Sequence, residues 1–239
     1  MGLSVDIAPH NWLMISIAVL IILAALSTVF ILKMLGLERW QIRKIGHMIV
    51  NAVAAFYPLL FNNFFDLIIS LAIAIGVILI LSAIPPIWFL QRIFKMCSRK
   101  ENFPWELFIN AILMGITMLL ILWFFKEEDR LFVFTAAYLT VSLGDGLGEM
   151  IGRPFGRLKY KIFNQKSVEG SLAVFVGTFI GLIIAFGVYQ MLGLPGVWWK
   201  MVVVAIIAVT IEAFSFSFID NVTLPAAVAA SLYLLFLLH

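Results

Sequence analysis

Long apolar runs broken by short polar clusters set the pattern of this chain. Trp12 to Leu32 and Leu67 to Ile84 each approach or pass the roughly 20 apolar residues that cross a hydrocarbon core. Read along the whole length, this patterning predicts an all-α, polytopic integral membrane protein with about eight transmembrane helices. The expected spans lie near 11–33, 45–61, 65–84, 106–125, 131–151, 168–191, 199–217 and 222–238. The second is short, as a tilted or re-entrant element would be. Pro85-Pro86 closes the third, because proline lacks the N–H that a helix needs. The stretch from Ile87 to Cys97 then reads as a basic amphipathic segment at the interface, anchored by Trp88.

Composition agrees with the pattern. Of 239 residues, 64% are hydrophobic and only 12% charged, and mean hydropathy is +1.11; soluble domains carry about 25% charged residues. Water-soluble folds are excluded, since nothing remains to cover so much apolar surface. The whole chain, 1–239, reads as one membrane domain. A lone cysteine, Cys97, rules out an intrachain disulfide. The first ten residues hold no Lys or Arg, so Trp12 to Leu32 is expected to act as a retained signal-anchor.

The placement of charge predicts orientation. Thirteen of the 16 basic residues fall in odd-numbered loops: Lys33, Arg39, Arg43 and Lys44; Arg92, Lys95, Arg99 and Lys100; Arg153, Arg157, Lys159, Lys161 and Lys166. By the positive-inside rule these loops are cytoplasmic and both termini lie outside. No inverted repeat accompanies the spans, which argues against a transporter for a phosphorylated solute.

Four acids fall where a carboxylate is costly, at or just inside the cytoplasmic ends of spans: Asp145, Glu149, Glu212 and Asp220. Asp145 and Glu149 are four apart and share a helix face, a spacing that suits Mg²⁺, which prefers oxygen ligands. Pairing with a neighbouring Arg would account for them structurally. Around them, Gly144, Gly146, Gly148, Gly152 and Gly156 alternate with Arg153 and Arg157. Lys159, Lys161 and Lys166 follow, and Ser167-Val168-Glu169-Gly170-Ser171 opens the sixth span. Glycines allow close backbone approach to a phosphate, and a helix N-terminus attracts an anion. Helix packing would explain the glycines singly, and positive-inside bias the lysines. Gathered between Gly144 and Ser171, they point to a nucleotide-phosphate site in a cytoplasmic loop spanning 144–171, though no Walker-type loop occurs. Arg43, Lys44 and His47, at the entry to the second span, and Glu212 with Asp220 and Asn221, before the last, are candidates to join it.

The run Gly-Asp-Gly-x-x-Glu-x-x-Gly-Arg-x-x-Gly, followed by Lys-Ser-x-x-Gly-Ser, resembles the polyprenol kinase group, which includes phytol kinases, dolichol kinases and CTP-dependent diacylglycerol kinases. The resemblance is strongest to phytol kinases, in overall length and from Gly144 to Phe175. Glu149 departs from the aspartate usual in phytol kinases, and Gly148 from a frequent alanine.

The resemblance implies transfer of the γ-phosphate of CTP, with Mg²⁺, to an isoprenoid alcohol dissolved in the membrane, at the cytoplasmic face. Asp145 and Glu149 would hold the metal. Arg43, Lys44, Arg153, Lys159, Lys166, Ser167 and Ser171, with Gly144, Gly146, Gly152, Gly156 and Gly170, would surround the phosphates. Asp220, Glu169 and His47 are open candidates for the general base. A CTP-dependent diacylglycerol kinase or a cytidylyltransferase forming CDP-lipids is the alternative enzyme. The partners expected are a lipid alcohol, CTP and membrane lipids, not nucleic acid. No residue pattern speaks to oligomeric state.

Overall fold

In a computed structural model, residues 10–83, 105–127, 129–215 and 220–238 are described. The basic segment expected at 87–97, the proline pair before it and residues 1–9 lie outside them. The described chain is helical apart from one small hairpin. Helix α1 (Trp12–Met34) starts at Asn11, whose side chain accepts from the Met14 N–H. Gly36, at φ +76°, lets the chain reverse into α2 (Arg39–Phe56), which opens on a capping box between Glu38 and Gln41. A 3₁₀ turn over Tyr57–Leu60 leads to α3 (Phe64–Ala83), and α4 (Trp105–Phe124) follows.

Helix α5 (Leu131–Phe155) is the axis of the molecule. It is 83% buried, against 24–44% for the other long apolar helices. Every residue from Leu131 to Leu139 is buried, as expected of a helix that is apolar all round. Helices α6 (Val168–Val188), α2 and α8 (Asp220–Leu232, continued by a π turn over Tyr233–Leu237) pack on α5. Helix α7 (Val197–Phe214) fills the space between α6 and α8. Buried hydroxyls bond inside the bundle: Ser142 donates to the Met48 carbonyl and Thr135 to that of Ala55, stitching α5 to α2. Thr135 also meets the Tyr189 hydroxyl at 3.1 Å; with no water in a hydrocarbon surround, such groups find their partners inside the bundle.

Helices lie near the expected spans, but α2 begins at Arg39, six residues before the expected 45, so Arg39, Arg43 and Lys44 lie in helix where a loop was expected; two further differences fall at the motif. Residues 146–155 are helical, where a loop was expected from 144. The chain leaves helix only at Gly156, two residues beyond Pro154. Next come β1 (Lys159–Lys161) and β2 (Gln165–Ser167), an antiparallel pair with Tyr160 opposite Lys166; alternation over so few residues gives no sequence signal. Among the described residues, four helices are long and apolar enough to cross a membrane: α1, α5, α6 and α7. Shorter apolar stretches occupy Phe64–Ala74, Ile112–Phe124 and Asn221–Leu237. The protein is thus a helical membrane protein.

Candidate functional site

The middle of α5 is not regular α-helix. Thr140–Asp145 forms a π segment, whose extra residue shifts the side chains beyond it around the axis. Two faces of the helix separate there. Gly144, Gly148 and Gly152 turn toward α6, while Asp145 and Glu149 turn toward α2.

The glycine face is a packing face. A Cβ at Gly144 would stand 2.5 Å from Thr178 Oγ1, and one at Gly148 2.5 Å from Val174 Cγ2. Gly152 and Gly170 approach backbone to backbone, with a Cβ on Gly152 only 3.0 Å from the Gly170 Cα. Gly146 faces α2 instead, against Met48, and Gly156 abuts Ser167. Close approach of helices therefore explains these glycines as fully as a ligand would. Gly148, Gly152 and Gly170 still border the cleft described below.

On the acidic face, Lys44 Nζ lies 2.6 Å from Asp145 Oδ2 and 3.3 Å from Glu149 Oε2. Arg43 meets Glu149 Oε1 at 2.6 Å, and His47 Nε2 lies 3.8 Å from Asp145 Oδ2. Arg153 lies 3.9 Å from Glu149 and rests over the Trp40 ring at 4.7 Å. Residues 43, 44 and 47 fall on one side of α2 because a helix repeats every 3.6 residues. The expected grouping of Arg43, Lys44 and His47 with the two acids is thus present.

Arg43, Lys44, Asp145, Glu149 and Arg153 form one wall of a cleft of about 450 Å³ between α2, α5, the hairpin, the start of α6 and the end of α7; His47 is not among its lining residues. The far wall carries Lys166, ion-paired with Glu212, so the hairpin supplies the cation that this buried carboxylate needs. Lys159, Ser167 and Ser171 also line the cleft. Ser167 is the N-cap of α6 and accepts from the Gly170 N–H at 3.1 Å. Five basic side chains (Arg43, Lys44, Arg153, Lys159, Lys166) face three carboxylates (Asp145, Glu149, Glu212) there, a net charge of +2.

Some sequence candidates sit outside the lining. Gly144, Gly146 and Gly156 pack elsewhere, as above. Glu169 accepts from the backbone N–H groups of Arg157 and Leu158 at 3.0 and 3.2 Å, which ties the loop before the hairpin to α6. Asn221 lies in the first turn of α8, and the Asp220 side chain lies outside the described ones. Conversely, Asn164, Gln165 and Ser215 line the cleft without having been singled out. Asn164 Nδ2 donates to the Ser215 carbonyl at 3.3 Å, joining the hairpin turn to the end of α7. Only the fold brings these residues in, since no motif type marks an isolated amide.

Asp145 and Glu149 are the residues that could hold Mg²⁺ beside nucleotide phosphates; in the structure both pair with Lys44, and Glu149 also with Arg43, the structural role that ion pairing gives them. No cluster of three or more His, Cys, Asp or Glu suited to a metal occurs among the described residues, so an all-protein metal cage is not what these residues offer.

The chain is similar to plant proteins curated as probable chloroplastic phytol kinases. It is 29% identical over 138 residues to one from Triticum aestivum, covering 55% of this chain and 45% of that protein. Over 144 residues it is 26% identical to the Oryza sativa subsp. japonica protein named probable phytol kinase 1, covering 57% and 45%. A Zea mays probable phytol kinase is also 26% identical, over 57% of this chain and 47% of its own. The chain therefore spans about half the length of the curated relatives it matches. No family model matches it, and no solved structure does.

Proposed function

We propose that this relative of the phytol kinases is a lipid-alcohol kinase, which transfers the γ-phosphate of CTP to an isoprenoid alcohol of the phytol or geranylgeraniol type. The observation that carries the reading is the cleft itself. Its net charge of +2 complements a Mg²⁺-bound nucleoside triphosphate, which carries about two negative charges. It lies at one end of helices α5 and α6, both long enough to cross a bilayer. Such a place meets nucleotide from water and alcohol from lipid.

In the reaction, the hydroxyl oxygen of the alcohol bonds to the γ-phosphorus, the bond to the β,γ-bridging oxygen breaks, and CDP leaves. Asp145 and Glu149 would hold Mg²⁺ on the donor phosphates, where it would supply neutralising charge. Arg43, Arg153, Lys159 and Lys166 stabilise the charge that develops on the transferred group, the largest contribution in phosphoryl transfer. Lys44, only 3% exposed, holds both carboxylates in register. Of the three candidate bases, Glu169 is committed to the loop backbone. His47, beside Asp145 at 3.8 Å, and Asp220 are the other two candidates for taking the hydroxyl proton.

The same reading takes the cleft as cytoplasmic, the spans as eight and both termini as external, on the distribution of Lys and Arg. Purified protein with Mg²⁺ and γ-labelled CTP or ATP tests it, offered phytol, geranylgeraniol, a long polyprenol and diacylglycerol. Label in an isoprenoid monophosphate, with CDP released, is the expected result. Label in phosphatidic acid would reassign the acceptor to diacylglycerol. Pyrophosphate release with a CDP-lipid would mark a cytidylyltransferase instead.

A further inference from the structure

The hairpin that roofs the cleft carries more apolar surface than a water-facing loop tolerates. Ile162 and Phe163, at its turn, are 41% and 49% exposed, and Leu158, just before β1, is 66% exposed. Phe163 leans on Phe214, itself 51% exposed at the end of α7, with ring centroids 6.4 Å apart. These residues continue a stripe on α6, where Val168, Leu172, Val176, Ile180, Ile184 and Val188 are all exposed at four-residue spacing. Such a stripe on a helix long enough to span is a lipid-facing surface. Val168 and Leu158 are joined by a backbone hydrogen bond of 2.9 Å, so the stripe passes into the hairpin without a break.

The same hairpin is basic. Arg157, Lys159 and Lys161 are exposed within five residues, interleaved with Leu158 and Ile162. Alternating cationic and apolar side chains at the edge of a hydrocarbon-facing stripe match the headgroup layer of an anionic membrane.

We propose that the segment from Arg157 to Phe163 is an interfacial anchor: Ile162 and Phe163 enter the top of the acyl region, and Arg157 and Lys161, which lie outside the cleft lining, hold anionic lipid phosphates. The roof of the cleft then rides at headgroup depth, fixed by the membrane as well as by its bonds to α6 and α7. A polar loop standing free in water would need neither the exposed aromatic nor its continuity with the α6 stripe.

Single cysteines replacing Phe163 or Ile162, in a Cys97→Ser background, can carry an environment-sensitive fluorophore in lipid nanodiscs. Quenching by lipids with a doxyl group high on the acyl chain should be about twofold or more stronger there than at a probe on Glu127, in the polar turn before α5. Doxyl-labelled phosphatidylglycerol should quench more than doxyl-labelled phosphatidylcholine at equal content. That difference should vanish in Arg157→Glu/Lys161→Glu. Quenching at both hairpin sites no stronger than at Glu127 would overturn the proposal. Equal quenching by the two headgroups would overturn its anionic-lipid part. No nucleotide or turnover enters the measurement, so its outcome is separate from that of the kinase reading.

Discussion

At the scale of single residues, Lys44 is the keystone of the cleft's buried wall. It is a nearly buried cation between two carboxylates, and removing one partner from such a group strands the others without compensation. Lys44→Met should therefore lower stability by about 3–5 kcal/mol, read as thermal unfolding in detergent. Lys166→Met, at the more open wall, should cost clearly less. Equal melting of the two variants would show that the Lys44 cluster is not a stability element. The sequence made both acids visible because carboxylates are costly in apolar spans. It also placed Lys44 and Arg43 near them through helical spacing and a shared end of the bundle. Asn164, Gln165 and Ser215 were not legible, because each enters the cleft only through the hairpin's lean toward α7.

At the scale of elements, the junction of α5 with α6 depends on side chains that are absent. A Cβ at Gly177 would collide with the backbone of Leu143, standing 2.7 Å from its carbonyl carbon and 3.0 Å from the Gly144 Cα. Backbone cannot yield as a flexible side chain does, so Gly177→Ala should destabilise by about 1–3 kcal/mol. At Gly115 on α4 nothing lies within 4 Å of such a Cβ. There alanine should be neutral or stabilising, by up to about 1 kcal/mol. Paired melting curves distinguish the sites, and a tolerant Gly177 would contradict the packing described for the π segment. Helix positions, the start of α2 apart, were read closely from hydropathy, since apolar runs of span length have few other meanings. The continuation of α5 through Gly146–Phe155 was not, because glycines and a proline look like a loop until packing on α6 is seen.

At the scale of the whole molecule, the ends of α6 separate two sides. Lys161 precedes the helix in the hairpin and Gly193 follows it, beyond Val188. If α6 spans, cysteines at 161 and 193 must label from opposite faces of a sealed vesicle, with 161 on the cytoplasmic side. Labelling of both from one face would exclude the span and with it the membrane-end location of the cleft. The basic residues predict this polarity from sequence alone, through the energetics of insertion rather than through any contact.

In the proposed function, the acids gathered at one end of α5 serve phosphoryl transfer to a lipid alcohol. The most direct test is the rate of γ-phosphate transfer from CTP to phytol or geranylgeraniol by purified wild-type protein and by Asp145→Asn, with folding of both checked by melting. Transfer by the wild type, reduced about 100-fold or more in a folded Asp145→Asn, is the predicted result. An Asp145→Asn protein that transfers phosphate at the wild-type rate would contradict the account.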